Sequence, residues 1–130
     1  MSAPPEVDYL SVDDLLEIAS GVLERVQVRD AGLLASAVAR PASTVFGAEA
    51  YPTFVEKVAC LMHALARNHP LLDGNKRLSW SAARVFCLIN GYDLVMEVDD
   101  AETIVLAVAA GDLDAPELAV ALRRFLRATA

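Results

Sequence analysis

One stretch, residues 69–77, reads His69-Pro70-Leu71-Leu72-Asp73-Gly74-Asn75-Lys76-Arg77 and decides most of what this sequence predicts. It places an imidazole, a carboxylate, an amide and two cations around one turn, which we expect to end one helix and open another. The first backbone N–H groups of a helix lack internal partners and carry partial positive charge. The stretch therefore predicts an anion-binding turn at a helix N-terminus.

The side chains of this turn suggest phosphoryl or nucleotidyl transfer. Asp73 could coordinate a divalent cation that bridges phosphate oxygens, and a neutral His69 could accept a proton from a hydroxyl that attacks the phosphate. Phosphate binding is expected from four consecutive residues: Gly74, Asn75, Lys76 and Arg77.

Each of these residues, taken alone, also has an ordinary structural explanation. Asp73 could cap a helix, Gly74 could serve a turn, and Lys76 and Arg77 could be solvated charges. Two cations in a first turn oppose the helix dipole, however, and that cost asks for a compensating role.

With these residues the chain resembles the Fic/Doc superfamily, whose Fic signature runs His-Pro-Phe-x-Asp/Glu-Gly-Asn-Gly-Arg-x-x-Arg. It is most similar to the Doc (death-on-curing) toxin branch. Lys76 stands where the adenylylating Fic enzymes have a second glycine, and Trp80 stands where they have a final arginine. Leu71 replaces the usual aromatic residue and Leu78 a common threonine. The resemblance implies an all-α fold, a compact bundle of about six helices with a short flap loop or hairpin, in one domain over residues 1–130.

The resemblance also implies a function, that of an ATP-dependent protein Ser/Thr kinase and toxin. His69 would be the general base on the target hydroxyl, Asp73 would hold Mg²⁺, and residues 74–77 would bind the phosphates of ATP. Doc-type proteins transfer the γ-phosphate rather than AMP, and their known target is elongation factor Tu, so translation would be blocked. The expected partner is a Phd-like antitoxin, whose helical tail fills a groove.

Other functions remain open from the sequence. A Fic-type protein adenylyltransferase is the second hypothesis, although Lys76 and Trp80 count against it. A third is a non-enzymatic nucleotide-binding module. A metal-dependent phosphohydrolase is disfavoured, because His63 and His69 are the only histidines and no adjacent His-Asp pair exists. Residues 20–25 match part of an inhibitory Fic motif, which we interpret as coincidence, so that inhibition from outside is expected.

Composition restricts the class of protein. The 130 residues are 55% hydrophobic, which suits a single domain with its own core. No run of 18 apolar residues is present, and residues 1–6 do not resemble a signal peptide, so a cytoplasmic protein without a membrane span is expected. Cys60 and Cys87 lie in apolar helical patterns and are interpreted as buried thiols.

The charge distribution favours a small anionic ligand over nucleic acid. The net charge is −7, whereas a nucleic-acid surface needs clustered excess cations. Residues 67–84 nevertheless carry four cations against Asp73 alone, a local charge of +3: Arg67, Lys76, Arg77 and Arg84. A basic region in an acidic chain suits a nucleotide.

The pattern of apolar and helix-breaking residues predicts the remaining elements. A first helix runs from Ser11 to about Val26, and a second begins at Asp30 and stops at Pro41. Residues 41–52 read as a loop or hairpin. By resemblance, part of it is a flap that docks the target peptide by strand addition. That part comprises Val45, Phe46, Gly47, Ala48, Glu49, Ala50 and Tyr51.

The second half of the chain is predicted to contain four helices. A central helix runs from Thr53 to about Asn68, and the helix carrying the motif runs from Gly74 to about Asn90. Residues 92–98 are predicted to be extended, residues 99–110 to form a helix, and the last helix to continue through Leu126. Arg123, Arg124 and Arg127 would favour its dipole. Trp80 is expected in the core, with stacking on a nucleotide base as the alternative.

Overall fold

The computed structural model describes residues 6–129, and this part of the chain contains six α-helices, one 3₁₀ helix and four short strands. The α-helices are α1 (Val12–Val22), α2 (Ala31–Ala39), α3 (Phe54–Asn68), α4 (Asn75–Ile89), α5 (Val98–Ala109) and α6 (Ala115–Arg123). The 3₁₀ helix is Arg40–Ala42, and the strands are β1 (Thr44–Val45), β2 (Ala48–Glu49), β3 (Tyr92–Leu94) and β4 (Leu126–Ala128). The predicted all-α fold of about six helices is confirmed.

The centre of the fold is α3, which packs against α4, α6, α2 and α5. One stripe of apolar side chains along α3 is fully buried: Phe54, Val58, Leu61, Met62 and Leu65. The Phe54 ring lies 5.2 Å from that of Phe86 in α4 and 4.9 Å from that of Tyr92. Each such buried side chain contributes about 1.5–3 kcal/mol. This packing fixes the carboxyl end of α3, where His69 lies.

A short antiparallel hairpin occupies the predicted flap. β1 pairs with β2, and the two residues between them, Phe46 and Gly47, have φ of 51° and 80°. A two-residue hairpin turn with both φ values positive matches the right-handed twist of its strands. The Phe46 side chain is fully exposed at the tip. The predicted hairpin is therefore present, and its docking role stays a prediction.

A buried lysine of α3 holds this hairpin in place. The Lys57 Nζ donates to the Pro41 carbonyl oxygen at 3.0 Å and to Glu49 Oε1 at 2.8 Å. Burial lowers the pKa of Lys57, but its interactions with Glu49 and Tyr9 outweigh burial and raise that pKa above the ordinary value. The ammonium is thus charged and paired, as a buried charge must be.

Two predicted helix ends are wrong. The first helix stops at Val22 rather than about Val26, and the last stops at Arg123 rather than continuing through Leu126. Residues 126–128 instead form β4, which pairs antiparallel with β3, so that Leu94 faces Leu126. Apolar spacing alone cannot distinguish a final helical turn from a short strand with a distant partner. Arg127 therefore lies on β4 and does not contribute to the dipole of α6.

No helix among residues 6–129 combines the length and the apolar character that a bilayer crossing demands, and the longest two, α3 and α4, have 15 residues each. The expectation that no signal peptide precedes the domain falls mainly on residues 1–5, which lie outside the described residues. Cys60 and Cys87 are buried, as predicted, and burial raises the pKa of each thiol to about 12. Neither thiol is therefore a nucleophile at neutral pH.

Candidate active site

The predicted turn lines an open cleft of about 830 Å³. One end of the cleft is formed by the turn itself, one side by α4, and the opposite side by β3, the segment that follows it and α5. The cleft brings together all the residues predicted to act on phosphate, metal or proton: His69, Asp73, Gly74, Asn75, Lys76 and Arg77. The flap residues 45–51 do not line it.

The amino terminus of α4 has no side-chain cap. The first helical hydrogen bond runs from the Leu78 N–H to the Gly74 carbonyl oxygen at 2.9 Å. The amides of residues 75–77 therefore have no acceptor among residues 6–129. The first turn contains no acid, and it carries Lys76 and Arg77 instead. Unpartnered amides, the helix dipole and two cations together produce a strongly positive end of the cleft.

Two features of this turn favour glycine at position 74. Its φ of 88° lies in the left-handed region, which L side chains rarely adopt. A Cβ at this position would also lie 2.6 Å from the two Cδ atoms of Leu23, which follows α1. The absence of a side chain therefore lets the turn pack directly against the end of α1.

Asn75 organises the turn from within. Its buried side chain accepts a hydrogen bond from the Leu71 N–H at 2.8 Å and donates one to the Leu71 carbonyl oxygen at 2.9 Å. The Asn75 Nδ2 also lies 3.5 Å from the His69 Nδ1. Both polar atoms of the Asn75 side chain are therefore bonded to the backbone of Leu71, and these bonds close the loop between residues 71 and 75. Only the backbone N–H of Asn75 remains for the predicted phosphate contact.

His69 is the C-cap residue that directly follows α3. Its backbone is left-handed, with φ of 55° and ψ of 62°, and it directly precedes Pro70. A left-handed backbone at a residue other than glycine costs about 1–3 kcal/mol, and it persists only where contacts with the surrounding structure stabilise it. The imidazole is exposed and lines the cleft beside the open amides. It therefore has access to a hydroxyl brought to a bound phosphate.

The turn is supported by a second segment, residues 27–30, which we call the brace and which was not predicted from the sequence. Residues 27–30 run antiparallel to residues 70–72, with an isolated bridge between Val28 and Leu71. The Leu72 N–H donates to the Gln27 carbonyl oxygen at 2.9 Å, and the Asp30 N–H donates to that of Pro70 at 3.0 Å. This pairing needs a partner about 40 residues away, and no local periodicity indicates it.

The cations of the predicted basic region have different environments. Arg84 forms a two-point ion pair with Asp93 of β3, at 3.0 and 3.2 Å. This contact lowers the pKa of Asp93 and raises that of Arg84. Arg77 donates to the carbonyl oxygen of Val22, at 3.2 Å. Arg67 does not line the cleft, so the local charge of +3 is not all at the site.

Lys76 differs from these arginines. Within the described part of the chain it takes part in no ion pair, although it is exposed and lines the cleft. Its ammonium is therefore free to meet a ligand.

The other half of the cleft is mainly apolar and was not predicted from the sequence. Its wall is formed by Leu94, Val95, Met96, Val98, Ala101, Val105 and Leu106. Trp80, half-buried, packs against the core and also lines the cleft, so that the core and ligand interpretations of this residue are compatible. A spacing of apolar residues along α5, at 98, 101 and 105, was the available signal. The cleft thus offers a cationic end and an apolar end.

Comparison with known proteins agrees with this geometry. Residues 9–87 match the family described as the Fic/DOC family. The chain belongs to the Fic/DOC family. It is also 45% identical, over 124 residues, to a protein named Toxin Doc from Mycolicibacterium smegmatis, with 93% of this chain and 95% of that protein covered. The predicted relationship to Doc toxins of the Fic/Doc superfamily is confirmed.

The Fic/DOC match covers only part of the cleft. It includes the turn at residues 69–77 and α4 up to Cys87, whereas β3 and α5, which form the apolar wall, follow it in the sequence. The Toxin Doc relative extends over most of the chain.

The remaining histidine of this Fic/DOC protein lies outside the cleft. His63 Nδ1 is buried and has no hydrogen-bond partner among residues 6–129, and burial lowers the pKa of the imidazole. The partial inhibitory motif at residues 20–25 also remains outside, since Glu24 follows the end of α1, is exposed and does not line the cleft. The position of Glu24 agrees with the interpretation of residues 20–25 as a coincidental match.

Proposed function

We propose that this protein is a Doc-like toxin of a toxin-antitoxin system, which transfers the γ-phosphate of ATP to a Ser or Thr hydroxyl of a translation protein. Elongation factor Tu is the target expected from the resemblance. One observation carries the proposal: the three open amides of residues 75–77, with Lys76 among them, line the same cleft as His69. The similarity to the protein named Toxin Doc supports it.

The shape and chemistry of the cleft suit a nucleotide. Phosphate oxygens would accept hydrogen bonds from the open amides and lie beside Lys76 and Arg77. The apolar half, with the ring of Trp80, would take the base, because an aromatic face stacks on a base without hydrogen bonds. A volume of about 830 Å³ lies within the range of ordinary small-molecule sites.

His69 and Asp73 would supply the proton chemistry and the metal. The imidazole would take the proton of the target hydroxyl as that oxygen attacks the γ-phosphorus. One Asp73 oxygen accepts from the Gly74 N–H at 2.9 Å, and the other is available to Mg²⁺. Mg²⁺ is commonly held by one or two carboxylates together with substrate phosphates, so a single carboxylate fits. Bound there, the metal would neutralise charge on the phosphate oxygens.

Two residues favour phosphate transfer over adenylylation. Lys76 stands where adenylylating Fic enzymes have a glycine that admits nucleotide phosphates, and Trp80 stands where they have an arginine. Lys76 places a cation in the first turn of α4, next to the open amides, and Trp80 leaves the following turn without one. These substitutions favour a nucleotide that presents its γ-phosphate to His69.

The hairpin β1–β2 would dock the target. Both of its strands are exposed, and strand addition to such an edge supplies backbone hydrogen bonds that do not depend on the target sequence. The exposed Phe46 at the tip could add an apolar contact. Lys57 ties the hairpin to α3, the same helix that ends at His69, so the docked peptide and the base would keep a fixed relation.

An antitoxin is the second partner we propose, of the Phd type by resemblance. Val95, Val98 and Leu106 lie on the cleft lining and expose 58%, 79% and 46% of their surface. An apolar helical segment covering this rim would bury them and block entry of the nucleotide. The proposed action on a translation protein also requires the chain to work in the cytoplasm.

Labelled ATP tests the proposed reaction. The purified protein is incubated with bacterial lysate and ATP labelled at either the α- or the γ-phosphate, and labelled proteins are identified by mass spectrometry. We expect label from the γ-position only, loss of labelling in His69→Ala, and normal labelling in the matched control His63→Gln, which removes the other histidine.

Other outcomes decide between the alternatives. Label from the α-position would identify an adenylyltransferase. Nucleotide binding without any transfer would indicate a non-enzymatic module. Transfer that persists in His69→Ala would contradict the role given to the imidazole, whichever phosphate is transferred.

A further inference from the structure

The backbone at His69 must be held in place by its surroundings. The residue before a proline is normally extended, and a left-handed conformation is rare for any L side chain. His69 directly precedes Pro70 and nevertheless has a left-handed backbone, with φ of 55°. The orientation of its peptide therefore depends on contacts from elsewhere in the fold.

Arg29 supplies these contacts. Its side chain donates from Nε to the carbonyl oxygen of His69 at 2.7 Å and from a terminal nitrogen to that of Asn68 at 2.9 Å. Its own backbone N–H donates to the Pro70 carbonyl oxygen at 2.8 Å. One residue thus holds three successive carbonyl groups on both sides of the left-handed position.

We propose that Arg29 is a positioning residue for His69. It does not line the cleft, so it acts through the imidazole and not on the ligand. The rigid guanidinium fork fixes two carbonyl directions at once, which a lysine ammonium cannot do in the same way. The pairing of Val28 with Leu71 anchors Arg29 itself beside the turn.

The orientation of the His69 peptide bears directly on where the imidazole points. The carbonyl that Arg29 holds belongs to His69, so rotation of that peptide changes ψ and moves the ring relative to the first turn of α4. Displacement of a catalytic group by about 1 Å can reduce a rate by about 100-fold. The inference rests on the proposed function for its kinetic consequence, whereas the conformational effect does not require it.

Kinetics of an Arg29 variant test the inference. In Arg29→Ala we expect kcat to fall about 10-fold or more, while KM for ATP stays within about 2-fold, because the phosphate-binding turn is left intact. Millimolar guanidinium ion should restore part of the lost kcat. The control Arg25→Ala removes an exposed arginine that forms no hydrogen bond with the turn among residues 6–129, and it should change neither constant. Arg29→Lys, which keeps the charge, should show most of the same loss.

A spectroscopic measurement decides the inference independently of activity. With ¹³C-labelled histidine in a His63→Gln background, only His69 gives Cα and Cβ signals, and these report its backbone conformation. We expect Arg29→Ala, or Arg29→Lys if the alanine variant does not fold, to shift these signals away from those of the unsubstituted protein. Unchanged His69 signals would overturn the inference. So would an unchanged kcat, or a loss that guanidinium does not relieve. If the parent protein transfers nothing from ATP, the proposed function fails, and the histidine signals still decide the role of Arg29.

Discussion

The amino termini of α1 and α6 differ from that of α4 in side-chain capping and in the charge of the first turn. Ser11 and Asp14 form a complete capping box at α1, and Asp114 and Glu117 form another at α6. α4 begins at Gly74 with no side-chain cap and has cations where the others have acids. Among the described α-helices, α1, α2, α3 and α6 have a side-chain cap, whereas α4 and α5 have none. The first turn of α5 carries Asp99 and Asp100, and only that of α4 lacks a cap and carries cations instead.

This difference supports the proposal that the amino terminus of α4 binds a ligand. Capping boxes and first-turn acids stabilise a helix, and their omission at α4 forgoes that stabilisation. The open end is also the one that lies in the cleft beside His69 and Asp73. We therefore interpret the bare terminus of α4 as the place where an anion replaces the missing cap.

The largest expected change in stability comes from adding a side chain at Gly74, which precedes α4. Gly74→Ala should lower the free energy of unfolding by about 2 kcal/mol, because φ is positive and the partly buried Leu23 side chain must move away from the new Cβ, which it would meet at 2.6 Å. Urea unfolding measures the change. Gly47→Ala is the matched control, since Gly47 also has a positive φ but open space around it. That variant should lose only about 1 kcal/mol.

The difference between the two glycine variants measures the close approach of Leu23. The double variant Leu23→Ala/Gly74→Ala should lose less than the sum of the single changes, because the clash is removed. Equal losses in Gly74→Ala and Gly47→Ala would contradict the tight packing of the turn on α1.

Removal of a cap at the other helices should affect stability alone. Ser11→Ala and Asp114→Ala should each lower the free energy of unfolding by about 1 kcal/mol, because each removes a side-chain acceptor from the first turn. Asp13→Ala, which removes a first-turn acid but no cap hydrogen bond, should lose about 0.5 kcal/mol. Calorimetry of ATP binding should show no change in any of these proteins, and weakened binding in them would weaken the contrast with α4.

The smallest effect should come from the paired cation of α4. Arg84 lowers the pKa of Asp93, so the pair contributes stability above the unfolded pKa of an aspartate, about 3.9. That contribution is lost as the pH falls through the lower folded value. Because both groups are partly exposed and screened, Asp93→Asn should lose less than about 1 kcal/mol at pH 7 and nothing near pH 2. Unfolding curves of both proteins from pH 2 to 7 test this, and a difference that grows towards low pH would contradict it.

Local sequence signals sufficed for most of the fold and for one end of the site. Thr53 marked the start of α3 and Asn90 the end of α4, since capping and helix-ending chemistry is local. The turn at residues 69–77 was recognisable because its side chains lie on consecutive positions. The hairpin was predicted from the breakers around it, although the burial of Lys57 against Glu49 was not.

Distant pairings explain what the sequence did not predict. The strand at residues 126–128 depends on β3, and the brace at residues 27–30 depends on the turn more than 40 positions later. Neither segment has a local pattern that distinguishes it from a helix end or a loop. The apolar half of the cleft likewise forms only when β3 and α5 are placed opposite Trp80.

One charge reversal tests the central claim, that the bare end of α4 exists to bind an anion. Lys76→Glu gives this end the acidic first turn of the capped helices, and Lys76→Gln serves as the neutral control. By calorimetry we expect the Kd for ATP to rise at least about 10-fold in the glutamate variant. The Tm should stay the same or increase, because an acid there favours the helix dipole. An unchanged Kd for ATP in Lys76→Glu would contradict the claim.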